Sequence, residues 1–287
     1  MRLGDAPESG NVEYDSGRGG GGGLGGMGSG LFGLLFQIVA SRFGIVGLIV
    51  LALGYCALTS MGGLGGGGSS APSSTTSGQG GIKVDPATDS FARKILGSTE
   101  QVWGDIFKQS GAQYTPTTLH FYANAGQSGC GAAQSAMGPF YCPTDKKIYL
   151  DAAFFDELAR RFQAPGDAAQ AYVIAHEVGH HVQDLEGTLD RSSSAQASSS
   201  TAGGNAIQVG VELQADCYAG VWAKRSGRLE AGDIEEGMRA AEAIGDDQLT
   251  QGRVSPDNFT HGTSAQRLQA LQTGLQTGDP AQCKYTR

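Results

Sequence analysis

Charge is scarce in this chain, and basic charge is the scarcer kind. Of 287 residues 17% are charged, with 20 Lys and Arg against 28 Asp and Glu, and no basic run is longer than a pair. Neutralising phosphates takes clustered cations, so the folded part is not a nucleic-acid or anionic-lipid binder. Cysteine numbers five, and no two are spaced as CxxC, which speaks against a cysteine-rich structural zinc site. Histidine also numbers five. No internal repeat is apparent. At roughly 150 residues per domain the length allows one or two domains.

Glycine is plentiful instead, and more than half of its 47 residues precede position 82. Residues 1–30 read as a disordered, Gly-rich leader, because such a stretch buries too little apolar surface to offset chain entropy. Residues 31–60 are almost wholly apolar, with Arg42 as the only charge. The cleaner core, 43–60, spans about 27 Å as a helix, just enough for a bilayer. A longer tilted helix using part of 31–41 is the alternative. A long, non-basic stretch precedes this core, which fits an uncleaved signal anchor better than a cleaved signal peptide. Arg18 and Arg42 lie on its N-terminal side, and residues 61–82 hold no Lys or Arg. The basic bias therefore places the N-terminus in the cytoplasm and the rest outside the cell membrane, attached by a single pass. Residues 61–81 read as a Gly/Ser linker, and the folded domain is expected over 82–287.

Four cysteines fall in that domain: Cys130, Cys142, Cys217 and Cys283. An even count outside the membrane suits two disulfides, for which three pairings exist. Cys130–Cys142 and Cys217–Cys283 are favoured, and free buried thiols are the alternative. Apolar spacing predicts helices over Ser90–Gln109, Ala152–Phe162, 167–184 with Asp167 as N-cap, Ala206–Arg225, Glu230–Ala243 and Ser264–Gln276. Thr118–Ala123 reads as a strand, and Gly138–Cys142 with Lys147–Leu150 as a hairpin. Leu185–Asn205 is rich in Ser, Thr and Gly and reads as a loop. The fold class is α+β, mostly helical, with a small sheet.

Chemistry concentrates in Ala175-His176-Glu177-Val178-Gly179-His180. Four residues are slightly more than one helical turn, so His176 and His180 share a face and can hold one Zn²⁺. Glu177 is rotated about 100° from that face, where it can reach a water at the metal as general base. A catalytic zinc takes a third protein ligand. Ten residues after His176 stands Glu186, but Gln183 occupies the place where a turn-forming Gly is needed. The better option is Glu212, four residues before Asp216 on a helix whose flanks are apolar. Glu212 would bind the metal, and Asp216 would fix a ligand His through its other ring nitrogen. His181 points off the ligand face and reads as a structural neighbour, and His120 as a buried histidine. His261, in Phe259-Thr260-His261-Gly262, is a candidate donor to a developing oxyanion.

These residues resemble a known family. His176-Glu-Val-Gly-His180-His181-Val-Gln183, Glu212-Leu-Gln-Ala-Asp216-Cys217 and Thr260-His261-Gly are similar to the bacterial putative neutral zinc metallopeptidases, as are Gly138-Pro-Phe-Tyr-Cys142-Pro and Ile148-Tyr-Leu-Asp151. More distantly, HExxH, Glu-x-x-Ala-Asp and Thr-His resemble gluzincin membrane peptidases, although Gly262 stands where those have Pro. The resemblance implies a zincin-like domain with its sheet beside the HExxH helix, preceded by one transmembrane helix. It also implies one zinc per chain on His176, His180 and Glu212, a supporting Asp216–Arg267 pair, and His261 as transition-state stabiliser. The implied activity is that of a membrane-anchored endopeptidase acting on a protein or peptide. The rival readings are a membrane-tethered zinc scaffold without catalysis, and a zinc hydrolase of non-peptide bonds.

Overall fold

The structure is a computed structural model that describes residues 1–16, 82–151 and 153–286. They form a single unit. The expected bilayer segment 31–60, the linker 61–81 and the rest of the leader lie outside the described residues. Among the described residues no helix is long and apolar enough to cross a membrane.

The chain begins with β1 (Val12–Tyr14) and resumes in α1 (Pro86–Gln109), started by the Asp85 carboxylate, which accepts from the N–H groups of Ala87 and Thr88. A sheet region follows, comprising β2 (Thr118–Tyr122), β3 (Ala125–Ser128), β4 (Gly131–Gln134), β5 (Phe140–Cys142) and β6 (Lys147–Asp151). The rest is helical: α2 (Phe154–Arg160), α3 (Asp167–Leu185), α4 (Thr188–Ala197), α5 (Thr201–Ser226), α6 (Asp233–Ala243), the single turn α7 (Asp246–Leu249) and α8 (Ser264–Thr277). The mostly helical α+β class is the one expected.

The main sheet has the order β1-β2-β6-β5. β1, β2 and β6 run parallel, and β5 returns antiparallel, with Phe140 opposite Tyr149 and Cys142 opposite Lys147. β3 and β4 pair separately as a hairpin. Cys130 at its tip bonds to Cys142, and Cys217 of α5 bonds to Cys283 of the tail, so both favoured pairings form. One core joins the sheet to the helices through Ile95, Trp103, Phe121, Ile148, Val178 and Trp222. α5 lies against α8 with glycines at the crossing. A Cβ on Gly220 would overlap the backbone at Leu271 and Gly274, and one on Gly274 would overlap Cys217 and Val221. Glycine is required there for close approach rather than for an unusual dihedral.

Three expectations need correction. The leader is not disordered over residues 1–16. Val12, Glu13 and Tyr14 pair with Leu119, His120 and Phe121, Tyr14 stacks on Phe121, and Glu13 accepts from Lys147 at 2.6 Å. A three-residue β-prone run is stable here because a long-range sheet edge receives it. The Ile82 N–H donates to the Asp15 carbonyl at 3.2 Å, so the described chain leaves and returns at one place. A single membrane crossing between these points would put β1 and β2 on opposite sides of a bilayer about 30 Å thick. Their pairing therefore does not accommodate an inside N-terminus with an outside domain. Second, the expected loop 185–205 is largely helix. α4 buries Thr188 and Ser192, and the Ser200 hydroxyl caps α5 by accepting from the Gly203 N–H. Packing and capping here override weak intrinsic propensity. Third, Gly166 rather than Asp167 is the N-cap of α3; the Asp167 carboxylate instead pairs with the Met1 ammonium at 2.8 Å.

Candidate metal centre

α3 and α5 build the site by crossing closely. The backbone of Ala215 lies 3.0 Å from where a Cβ on Gly179 would stand, so the glycine inside the HExxH segment is a contact surface for α5. This crossing sets Glu212 beside the two histidines. Glu212 Oε2 is 3.2 Å from His176 Nε2, and Oε1 is 3.6 Å from His180 Nε2. One ligand atom from each of His176, His180 and Glu212 lies within 4.8 Å of the other two. All three facing atoms are acceptors for a cation, and the histidine nitrogens are the Nε2 atoms.

The opposite ring nitrogens are held from behind. His176 Nδ1 is 2.9 Å from Asp216 Oδ1. Asp216 is fully buried and receives the Arg267 guanidinium on both oxygens, at 2.9 Å each, together with the Tyr172 hydroxyl. Arg267 is 1% exposed and also donates to the Ile244 carbonyl. His180 Nδ1 is 2.9 Å from Gln183 Oε1. An acceptor behind each ring keeps the proton on Nδ1 and turns the Nε2 lone pair into the site.

The electrostatics follow from burial and these neighbours. Burial, helped by the Glu212 charge, raises the pKa of Glu177 against the pull of His176 and His180. Its Oε2 is buried and has no hydrogen-bond partner among the described residues. Burial works against the Glu212 carboxylate too, yet His180 and His176 hold it well below the usual range. Burial disfavours a charged His176, but Asp216 and Glu212 outweigh it and lift the ring to about 10.

His261 reaches the site from a loop between α7 and α8. Asp246 organises that loop: its Oδ2 accepts from the N–H groups of Thr260 and His261 at 2.7 Å and of Gly262 at 3.1 Å, while Oδ1 lies 3.1 Å from His261 Nδ1. Burial lowers the His261 pKa, and the Asp246 bond and the Glu212 charge more than reverse it. Gly262 has φ 86°, a conformation closed to proline, which accounts for the glycine at that position.

The structure thus gathers His176, Glu177, His180, Glu212, Asp216, Arg267 and His261 in one region. His181 lies outside it, fully buried between the Tyr141 hydroxyl and the Thr115 carbonyl. His120 faces Glu13 and the Tyr149 ring. Glu186 accepts from the Tyr218 hydroxyl and is not part of the converging ligand group. Sequence reasoning missed Asp246, which looks like a turn residue in Gly245-Asp246-Asp247. It also missed Gln183 as a partner of His180, although the i, i+3 spacing from His180 could have shown it.

The family comparison agrees with this geometry. The family model described as “Putative neutral zinc metallopeptidase” matches residues 1–286. The chain belongs to this family. It is 43% identical over 293 residues to “Uncharacterized protein YpfJ” of Escherichia coli (strain K12), covering 99% of this chain and 98% of that one. It is 40% identical over 203 residues to an uncharacterized protein of Mycobacterium tuberculosis (strain H37Rv), covering 65% of this chain and 66% of that one. No solved structure matches. The family's metal fits the residues present: two imidazoles and a carboxylate are a donor set suited to Zn²⁺, and Glu177, with a buried oxygen that lacks a partner among the described residues, adjoins His176 in the same helix.

Proposed function

We propose that this protein is a zinc-dependent endopeptidase with His176, His180 and Glu212 as metal ligands. Bound zinc would supply Lewis acidity, polarising a substrate carbonyl and making water a competent nucleophile near neutral pH. The chain's own residues do the rest. Glu177 accepts the proton of the attacking water through its free Oε2 and returns it to the leaving amine. Burial keeps that carboxyl basic enough for the exchange. His261, oriented by Asp246 through Nδ1, offers its Nε2 proton to the oxygen on which negative charge develops. Asp216, fixed by Arg267 and Tyr172, holds His176 in the tautomer that a ligand needs. The edge of β5, the outer strand of the main sheet among the described residues, is the place for an extended peptide to pair in β fashion.

The observation that carries this reading is the buried, unpartnered Glu177 Oε2 beside three converging ligand atoms. A purely structural zinc site has no use for a carboxylate kept there at the cost of its desolvation. Membrane attachment through residues 43–60 belongs to the same proposal, in a one-sided form that leaves β1 and the helical domain on the same side of the bilayer.

Elemental analysis of wild type and Glu177→Gln, alongside casein cleavage by both, tests the proposal. Zinc is expected in both proteins, with cleavage reduced about 10²–10⁴-fold in the variant. Equal cleavage by the variant overturns the role of Glu177, and absence of zinc from both overturns the ligand set.

A further inference from the structure

His176 and His180 are held from behind by different chemistry. His176 meets a carboxylate, and His180 meets the amide of Gln183. An amide has an oxygen and a nitrogen of similar shape, so its orientation has to be decided by its partners. Here two backbone carbonyls decide it. Gln183 Nε2 lies 2.8 Å from the Val211 carbonyl, which can only accept. That nitrogen is therefore the NH₂ group, and the atom facing His180 Nδ1 is the oxygen. The same nitrogen donates to Gln214 Oε1 at 2.9 Å. Gln214 is fixed in turn, because its Nε2 lies 3.0 Å from the carbonyl of Cys283. Each amide along this line donates to an acceptor, the Thr286 hydroxyl also donates to Gln214 Oε1 at 3.4 Å, and both glutamines are buried.

Resting on the zinc reading above, we infer that Gln183 and Gln214 form a relay that positions the metal ligand His180, with the C-terminal disulfide as its far anchor. The relay runs inward from the tail. The Cys217–Cys283 bond holds the Cys283 carbonyl against α5. That carbonyl orients Gln214, Gln214 together with Val211 orients Gln183, and the Gln183 oxygen requires a proton on His180 Nδ1. The His180 Nε2 lone pair is then directed at Glu212 and the metal position. Gln183 and Gln214 are positioning residues, since neither touches the reacting atoms. The relay also gives the tail disulfide a role beyond stability, because the disulfide sets how tightly zinc is held.

The test uses full-length protein with ¹⁵N-labelled histidine, zinc-free, and then titrated with zinc against a chelator of known affinity. In wild type, long-range ¹⁵N–¹H correlations are expected to show His180 protonated at Nδ1. Gln183→Leu is expected to lose that preference and to bind zinc about 10–100-fold more weakly. Gln214→Leu, which leaves the His180 partner in place, is expected to weaken zinc less. Cys283→Ser is expected to fall in the same direction as Gln214→Leu. A wild-type His180 protonated at Nε2 overturns the relay without any variant. So does a folded Gln183→Leu protein, checked by circular dichroism, with unchanged zinc affinity. If wild type itself fails to bind zinc, the metal reading fails, while the tautomer of His180 still decides the relay separately.

Discussion

Arg267→Met isolates the most buried charge pair behind the metal face. Arg267 and Asp216 are 1% and 0% exposed, and two guanidinium nitrogens meet the two carboxylate oxygens at 2.9 Å. Removing the arginine leaves Asp216 with only the Tyr172 hydroxyl and the His176 ring. Breaking a buried pair from one side costs about 3–5 kcal/mol, because a fully buried carboxylate loses the guanidinium that meets both of its oxygens. A domain of this size changes its Tm by about 2–4 °C per kcal/mol, so the loss is about 6–20 °C. Asp216→Leu combined with Arg267→Met removes both charges and replaces them with apolar volume. It is expected to be less destabilised than Arg267→Met alone. Zinc affinity is expected to behave differently, staying about 10–100-fold weak in the double variant, because His176 has then lost its partner. The assay is thermal unfolding of zinc-free protein in chelator, followed by zinc titration of the same samples. A cost below about 1 kcal/mol for Arg267→Met would refute the reasoning, since a surface pair costs that little.

Three further outcomes follow from other contacts. Gly274→Ala and Gly220→Ala each push a methyl into the facing helix backbone, where no rotamer can relieve it, and are expected to cost about 1–3 kcal/mol or more by denaturant unfolding. Asp246→Asn is expected to destabilise zinc-free protein in a pH-dependent way. Burial opposes the Asp246 charge, but the bonds from His261 and Thr260 hold its pKa below the ordinary 3.8. The unfolded state then binds more protons, so this contribution is present above about 3.8 and fades as pH falls through the lower folded value. Wild type and variant should therefore converge in urea midpoint toward acid, and a constant gap would count against the assignment. Topology reporters fused at residue 1 and residue 287 are expected to report the same side of the membrane, and opposite sides would show that β1 does not pair with β2 in cells.

The parts of the site that were legible in the sequence are those written at helical spacing. His176 and His180, then Glu212 and Asp216, are each one turn apart, and their apolar flanks mark both helices as buried. What brings the two helices together was not legible, because a close crossing at Gly179 and Ala215 leaves no periodic trace. β1 escaped for a related reason. Its partner β2 lies about a hundred residues away in the chain, and the surrounding glycine-rich composition says nothing of a distant sheet edge. α4 escaped because Ser and Thr are weak helix formers, and only the contacts of Thr188 and Ser192 show why they are helical here. Asp246 is fifteen residues from His261, and its role depends on the α7–α8 loop folding back over it.

The same helix crossings that bury the core also set the donor atoms, and the two tasks draw on different residues. α5 presents Glu212 and Asp216 to α3 on one side and Gly220 to α8 on another. α8 returns Arg267 to Asp216, so its approach to α5 at Gly274 is what allows the guanidinium to reach a fully buried carboxylate. A side chain at either glycine would hold the helices apart and draw Arg267 away from Asp216. Asp216 would then loosen its hold on His176 Nδ1. The candidate metal position is thereby coupled to the packing of α8 through Arg267 and Asp216. The loop carrying His261 enters α8 directly, through the Thr263 and Gln266 capping box. Displacement of α8 would therefore reach His176 and His261 together, whereas the Gln183 line runs from α3 through α5 to the tail.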